Sequence, residues 1–113
     1  MGDHLGEFEQ VLLFALVRLG EDAYGASLQR EIERRTGRTV SPGAIRTAMS
    51  RLESRGFVTS QLGDPTPQRG GRRKRLYRLA PAGARALSES YERVRSMGED
   101  VVGRLAELTG EGA

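Results

Sequence analysis

Residues 41–56 read Ser41-Pro42-Gly43-Ala44-Ile45-Arg46-Thr47-Ala48-Met49-Ser50-Arg51-Leu52-Glu53-Ser54-Arg55-Gly56, and this stretch decides the architecture. Ser41 can cap free helix amides, Pro42 in the first helical position loses no hydrogen bond, and Gly56 supplies the stop. Between them Ile45, Ala48, Met49 and Leu52 share a sector of about 100° on a helical wheel, the width of a stripe that faces a core. The opposite face is fixed by that choice. Gly43, Thr47, Ser50 and Ser54 point outward, with Arg46 and Arg51 on the shoulders. A helix that buries one side and offers small hydroxyl and guanidinium groups on the other fits a DNA major groove, which excludes bulky or acidic side chains.

Upstream, Phe8, Val11, Leu12, Ala15, Leu16 and Leu19 recur at steps of 3 and 4 and mark an amphipathic first helix that Gly20 ends. A second helical pattern runs through Tyr24, Leu28 and Ile32 to Thr36, with Gly37 as its C-terminal cap. Downstream, Phe57, Val58 and the alternating residues 59–62 predict one strand and Lys74 to Leu79 a second, with Tyr77 and Leu79 on one face. Their connection, Gly63 to Arg73, holds Pro65, Pro67, Gly70 and Gly71, and predicts a long exposed loop. From Arg69 to Arg78 there are six basic residues and no acidic one, which suits a phosphate or minor-groove contact. Gly70-Gly71 is not a phosphate-binding P-loop, because the Lys-Ser/Thr ending and the helix after it are missing.

Pro81 opens a last helix in which Ala84, Leu87, Tyr91, Val94, Val101, Leu105 and Leu108 keep steps of 3 and 4, with Gly98 in one slot. That heptad seam is longer than so small a domain can cover, so it predicts a second copy of the chain. The dimer contact is expected from Leu87, Tyr91, Val94, Val101 and Leu105, together with Phe8 and Leu12 of the first helix. Gly98 and Gly103 weaken the helix and leave a break, a kink and a close backbone contact as open alternatives.

Composition bounds the rest. The 113 residues suit one domain, and 37% hydrophobic against 29% charged residues is a globular balance. With no cysteine and only His4 for imidazole chemistry, neither a disulfide, a metal site nor a catalytic site is expected, and no cofactor. The longest apolar run, Val11 to Val17, falls far short of the roughly 20 residues a spanning helix needs. Asp3, Glu7 and Glu9 stand where a secretory signal carries positive charge, so the cytoplasm is expected and no membrane partner. The net charge of +3 divides as −3 over residues 1–36 (4 basic, 7 acidic), +8 over 37–79 (10 and 2) and −2 over 80–113 (4 and 6). A basic block on a near-neutral scaffold is the footprint of a polyanion-binding surface. Seventeen of the 18 basic residues are arginine, which suits bidentate clamping of phosphate or guanine, although a coding bias gives the same skew.

The fold class expected is mostly α with a small β-hairpin. The order of elements, three helices, a hairpin with a basic tip and a long seam-bearing helix, is that of a winged helix-turn-helix protein. On that reading residues 1–80 form a DNA-binding domain, 81–108 a C-terminal dimerisation helix and 109–113 a disordered tail.

The chain also resembles the PadR family of bacterial transcriptional regulators, in its short subclass with one C-terminal helix. The resemblance covers roughly residues 5–95. It rests on Ala23-Tyr24-Gly25, on Gly43-Ala44-Ile45 with Arg51-Leu52-Glu53 and Gly56, on Gly70-Gly71-Arg72-Arg73-Lys74 leading into Tyr77-Arg78-Leu79, and on Pro81-Ala82-Gly83. It implies a dimeric, usually repressing regulator of double-stranded DNA, with the third helix in a major groove and the wing on the backbone or minor groove. The residues expected at the DNA are Ser41, Gly43, Arg46, Thr47, Ser50 and Arg51 from the helix, and Arg69, Gly70, Gly71, Arg72, Arg73, Lys74 and Arg75 from the wing. Relatives often answer to small hydrophobic or phenolic compounds; a small hydrophobic effector is therefore an open partner here.

Three positions depart from the family pattern. Arg46 replaces a usual tyrosine, which changes the expected operator preference. Ala80 replaces a usual threonine and removes a side-chain cap worth about 1 kcal/mol. The last helix has no tryptophan, so no ligand pocket is assigned from sequence. The rival reading is a winged-helix module that binds proteins without sequence-specific DNA binding.

Overall fold

A computed structural model describes residues 4–65 and 73–110. Helix α1, Glu7–Leu19, starts where the Glu9 carboxylate accepts the Gly6 N–H at 2.9 Å, and it ends as Gly20 turns the chain out at φ 59°. A 3-10 turn, Gly20–Asp22, leads to α2, Gly25–Thr36. One hydroxyl locks that entry: Ser27 Oγ accepts the Tyr24 N–H at 2.9 Å and donates to the Asp22 carbonyl at 2.6 Å. Gly37, left-handed at φ 72°, closes α2 by donating its N–H to the Glu33 carbonyl. Helix α3, Pro42–Ser54, is capped as its sequence predicts, with Ser41 Oγ accepting the Ala44 N–H at 3.0 Å.

The hairpin pairs β1, Val58–Pro65, with β2, Arg73–Leu79, antiparallel in the register Val58↔Leu79 to Leu62↔Arg75, with an irregularity between Leu62 and Pro65. Strand β1 therefore runs three residues past Leu62, where the sequence predicts loop. Residues 66–72 lie outside the described residues. Tyr77 donates its N–H to the Ala23 carbonyl at 2.9 Å, so the segment before α2 adds a single rung at the hairpin's edge.

The expected C-terminal helix over 81–108 is two helices, α4 at Pro81–Gly98 and α5 at Val102–Thr109. Of the three alternatives left open at Gly98, the chain adopts the break. Glu99 is extended and Asp100 left-handed at φ 68°, a conformation that Asp tolerates better than most residues. Thr109 completes α5 instead of opening a tail, and residues 111–113 lie outside the described residues.

The core gathers Leu12, Leu13 and Leu16 of α1, Leu28 and Ile32 of α2, and Ile45, Met49 and Leu52 of α3. Phe57, Val58 and Tyr77 close it from the hairpin side, and Ala86 and Leu87 from α4. Each such fully buried aliphatic side chain contributes about 1.5–3 kcal/mol. Leu5 is buried as well, and its N–H donates to the hydroxyl of buried Ser90, which pins the N-terminal segment to α4. Two residues expected at a dimer contact are corrected by this packing. Leu12 and Leu87 point into their own core, so neither has surface left for a second chain. Phe8 is half-buried under the Arg38 guanidinium, 5.2 Å from its ring centroid.

Candidate nucleic-acid interface

The site is built on α3 because its two faces separate cleanly. Ile45, Ala48, Met49 and Leu52 are buried, while Gly43, Arg46, Thr47, Ser50 and Arg51 are exposed. Ser41 is exposed too, but its oxygen is engaged in the cap. The turn before α3 is held from α2: Gln29 Nε2 donates to the Val40 carbonyl at 2.8 Å, and the Glu33 carboxylate accepts the Val40 N–H at 3.2 Å. Arg38 ties the same turn to Glu7 of α1 at 2.7 Å. The outward face of α3 is thus presented by a braced helix, which is what readout of a groove requires.

The described part of the wing carries Arg73, Lys74 and Arg75 on β2. Arg73 Nε donates to the Gly63 carbonyl across the hairpin at 2.7 Å. Lys74 Nζ stands 4.1 Å from the centroid of the Tyr24 ring, whose hydroxyl also accepts from Arg30. Arg75 Nη1 donates to Ser60 Oγ at 3.1 Å. Arg69, Gly70, Gly71 and Arg72, the remaining wing residues expected at DNA, lie outside the described residues.

In the described part of the chain, charge pairing leaves the cations of this surface, like Arg18, Arg30, Arg35, Arg85 and Arg93 elsewhere, without a carboxylate partner in direct contact. Among the described residues the ion pairs engage Arg34, Arg38, Arg55, Arg78, Arg95 and Arg104. None engages Arg46, Arg51, Arg73, Lys74 or Arg75. None of these cations therefore has a carboxylate in direct contact that competes with an outside anion. Burial pushes the Tyr77 hydroxyl above the ordinary phenol range, while Arg75 and Arg46 pull it down and Glu53 adds to the rise.

The sequence pointed to Lys74 but not to its contact with Tyr24, nor to Glu53 and Ser60, nor to a hollow beside α1. Lys74 on Tyr24 joins residues 50 positions apart, and neither lies in a shared period. Glu53 and Ser60, which carry Arg75, read in sequence as a helix-surface acid and a strand serine. An apolar hollow of about 400 Å³ also opens between α1, α2 and α4, where no pocket was assigned for want of a tryptophan. Val11, Phe14, Ile32 and Tyr91 line it, with Arg18, Glu31 and Arg35 at its polar side. The Phe14 and Tyr91 rings meet edge-to-face at 5.3 Å. Among the described residues no group of acidic, histidine or cysteine side chains could hold a metal, and no helix is long and apolar enough to cross a membrane.

Known proteins share this arrangement. The model of the transcriptional regulator PadR-like family matches residues 12–89. A transcriptional regulator of Mycobacterium tuberculosis is 34% identical over 93 residues, which is 80% of each chain. The crystal structure of a PadR family transcriptional regulator from Eggerthella lenta superposes with a TM-score of 0.65 at 29% identity, over 89% of this chain and 87% of that one. Bacillus subtilis PadR, solved in complex with operator DNA, superposes with a TM-score of 0.62 at 20% identity, over 73% of this chain and 46% of that one.

Proposed function

Because the chain belongs to the PadR-like family of transcriptional regulators, we propose that it is a homodimeric repressor that binds an inverted-repeat operator in the cytoplasm. The observation that carries this reading is the set of unpaired cations on the exposed face of a braced α3 and on the neighbouring hairpin. Arg46, Thr47, Ser50 and Arg51, with Gly43 giving close approach, read base edges from the major groove, while Ser41 orients the helix end. Arg73, Lys74 and Arg75, continued by Arg69 to Arg72, contact the adjacent backbone. The complex of the Bacillus subtilis relative with operator DNA supports the choice of partner. The repressing sense comes from the family resemblance. The hollow between α1, α2 and α4 offers a place for a small hydrophobic effector, and no catalytic step is assigned.

Selection of bound sequences from random duplex DNA by the purified protein tests the proposal. Wild type is expected to enrich one inverted repeat. Arg46→Ala is expected to change which bases are enriched, whereas Arg73→Ala with Lys74→Ala weakens binding to every duplex and flattens the salt dependence, by about 0.9 log units per lost phosphate contact. No enrichment, with binding that vanishes as salt rises, transfers the reading to a protein-interaction module.

A further inference from the structure

The stretch from 37 to 79 holds ten basic residues and two acidic ones, and one of those acids, Glu53, stands where the end of α3 meets the hairpin. An acid beside a phosphate-binding surface repels the ligand, so affinity alone argues against it. Its partners supply a reason. The Ser60 hydroxyl of β1 donates to the Glu53 carboxylate, 3.1 Å from Oε1 and 3.0 Å from Oε2, and Ser60 Oγ accepts from Nη1 of Arg75 at 3.1 Å. A hydroxyl has one proton to give, so the chain runs one way, from guanidinium to hydroxyl to carboxylate, and each link polarises the next. Ser60 pairs with Tyr77 and Leu62 with Arg75, which makes Arg75 and Ser60 diagonal neighbours on the hairpin face that carries Tyr77.

Resting on the DNA-binding reading above, we propose that Glu53 and Ser60 are positioning residues that hold Arg75 in place beside α3, so that recognition helix and wing meet the DNA backbone as one preset surface. Arg75 touches the phosphate; Ser60 and Glu53 act through it. Every link is exposed, so the network adds little to folding stability. What it supplies is order, because a guanidinium fixed before binding has less freedom left to lose at the interface. The network also joins two elements that the chain connects only through the short segment between Ser54 and Val58.

A double-mutant cycle read by fluorescence anisotropy, on a fluorescein-labelled mixed-sequence duplex, tests this. Arg75→Ala is expected to weaken binding roughly three- to tenfold and to lower the salt slope by about 0.9. Ser60→Ala gives a smaller loss in the same direction, Ser60→Thr keeps wild-type affinity, and Ser60→Ala adds nothing once Arg75 is alanine, with melting temperature unchanged throughout. Additive losses, or a silent Ser60→Ala beside a damaging Arg75→Ala, overturn the proposal. Nitrogen-15 relaxation of the Arg75 guanidinium in the free protein reads the network without DNA. It is expected to be ordered in wild type and Ser60→Thr and loosened in Ser60→Ala; equal mobility overturns the proposal. A wild type that binds no duplex defeats the DNA-binding reading instead, and the relaxation result still decides whether the network holds Arg75.

Discussion

Gly83 has no side chain because the first turn of α4 lies against the backbone that leads into β1. A Cβ built there comes within 2.1 Å of the Phe57 carbonyl oxygen and 2.8 Å of Leu79 Cδ1. The same Phe57 carbonyl accepts the Ala80 N–H at 2.9 Å, so it cannot swing aside without losing that bond. Gly83→Ala is therefore expected to destabilise the fold by about 1–3 kcal/mol, read from the midpoint of urea unfolding. Gly103→Ala is the control, since a methyl there meets nothing within 4 Å and a helix prefers alanine. In sequence Gly83 stands out only as part of the Pro81-Ala82-Gly83 resemblance; the carbonyl that excludes a methyl comes from a residue 26 positions earlier. The faces of α3 were legible because they depend on a local period, which puts Ile45 and Met49 inward and Arg46 and Ser50 outward whatever else the chain does. The Glu53–Ser60–Arg75 network was not, because links of 7 and 15 residues between helix and strands follow no period.

At the scale of elements, the seam along the last 30 residues shows what periodicity carries and what it omits. Steps of 3 and 4 locate an apolar stripe but say nothing of what covers it. In the fold, the first half of α4 packs on its own core through Ala86, Leu87 and Ser90, whereas α5 buries no residue. Tyr91, Val94, Val101 and Leu105 remain exposed, and Met97 and Val102 extend the same uncovered surface. That surface is the one we assign to the proposed dimer, and the division tells two superficially similar substitutions apart. Val94→Glu with Leu105→Glu changes side chains that are 66% and 57% exposed, so the winged part is expected to stay folded while sedimentation equilibrium reports monomers. Leu87→Glu forces an unpaired carboxylate into the core and is expected to unfold the protein, as circular dichroism would show. A Val94, Leu105 variant that remains dimeric places the contact on another surface.

For the whole molecule, shape and charge constrain how two copies could sit on DNA. The Cα radius of gyration is 16.6 Å and the extents are 54 × 33 × 20 Å, against about 13 Å expected for a compact chain of this length. A helix such as α5, which buries nothing in its own protomer, adds length without adding core. The proposed dimer joined through that region presents its two α3 helices in fixed relation, and half-sites about 34 Å apart, one turn of duplex, then lie on the same face. Inserting about five base pairs between half-sites turns one of them to the far side of the duplex, and affinity is expected to fall to that of a single half-site. An insertion of about ten base pairs restores the face but adds roughly another 34 Å of separation, and only a dimer able to bend at the Glu99–Val101 break could follow it. The hydrogen-bonded turn at that break, where the Val101 N–H donates to the Gly98 carbonyl at 3.1 Å, argues for stiffness. Both insertions are therefore expected to lose binding in anisotropy titrations of the selected repeat, and recovery with the longer insertion would assign the break to a working hinge.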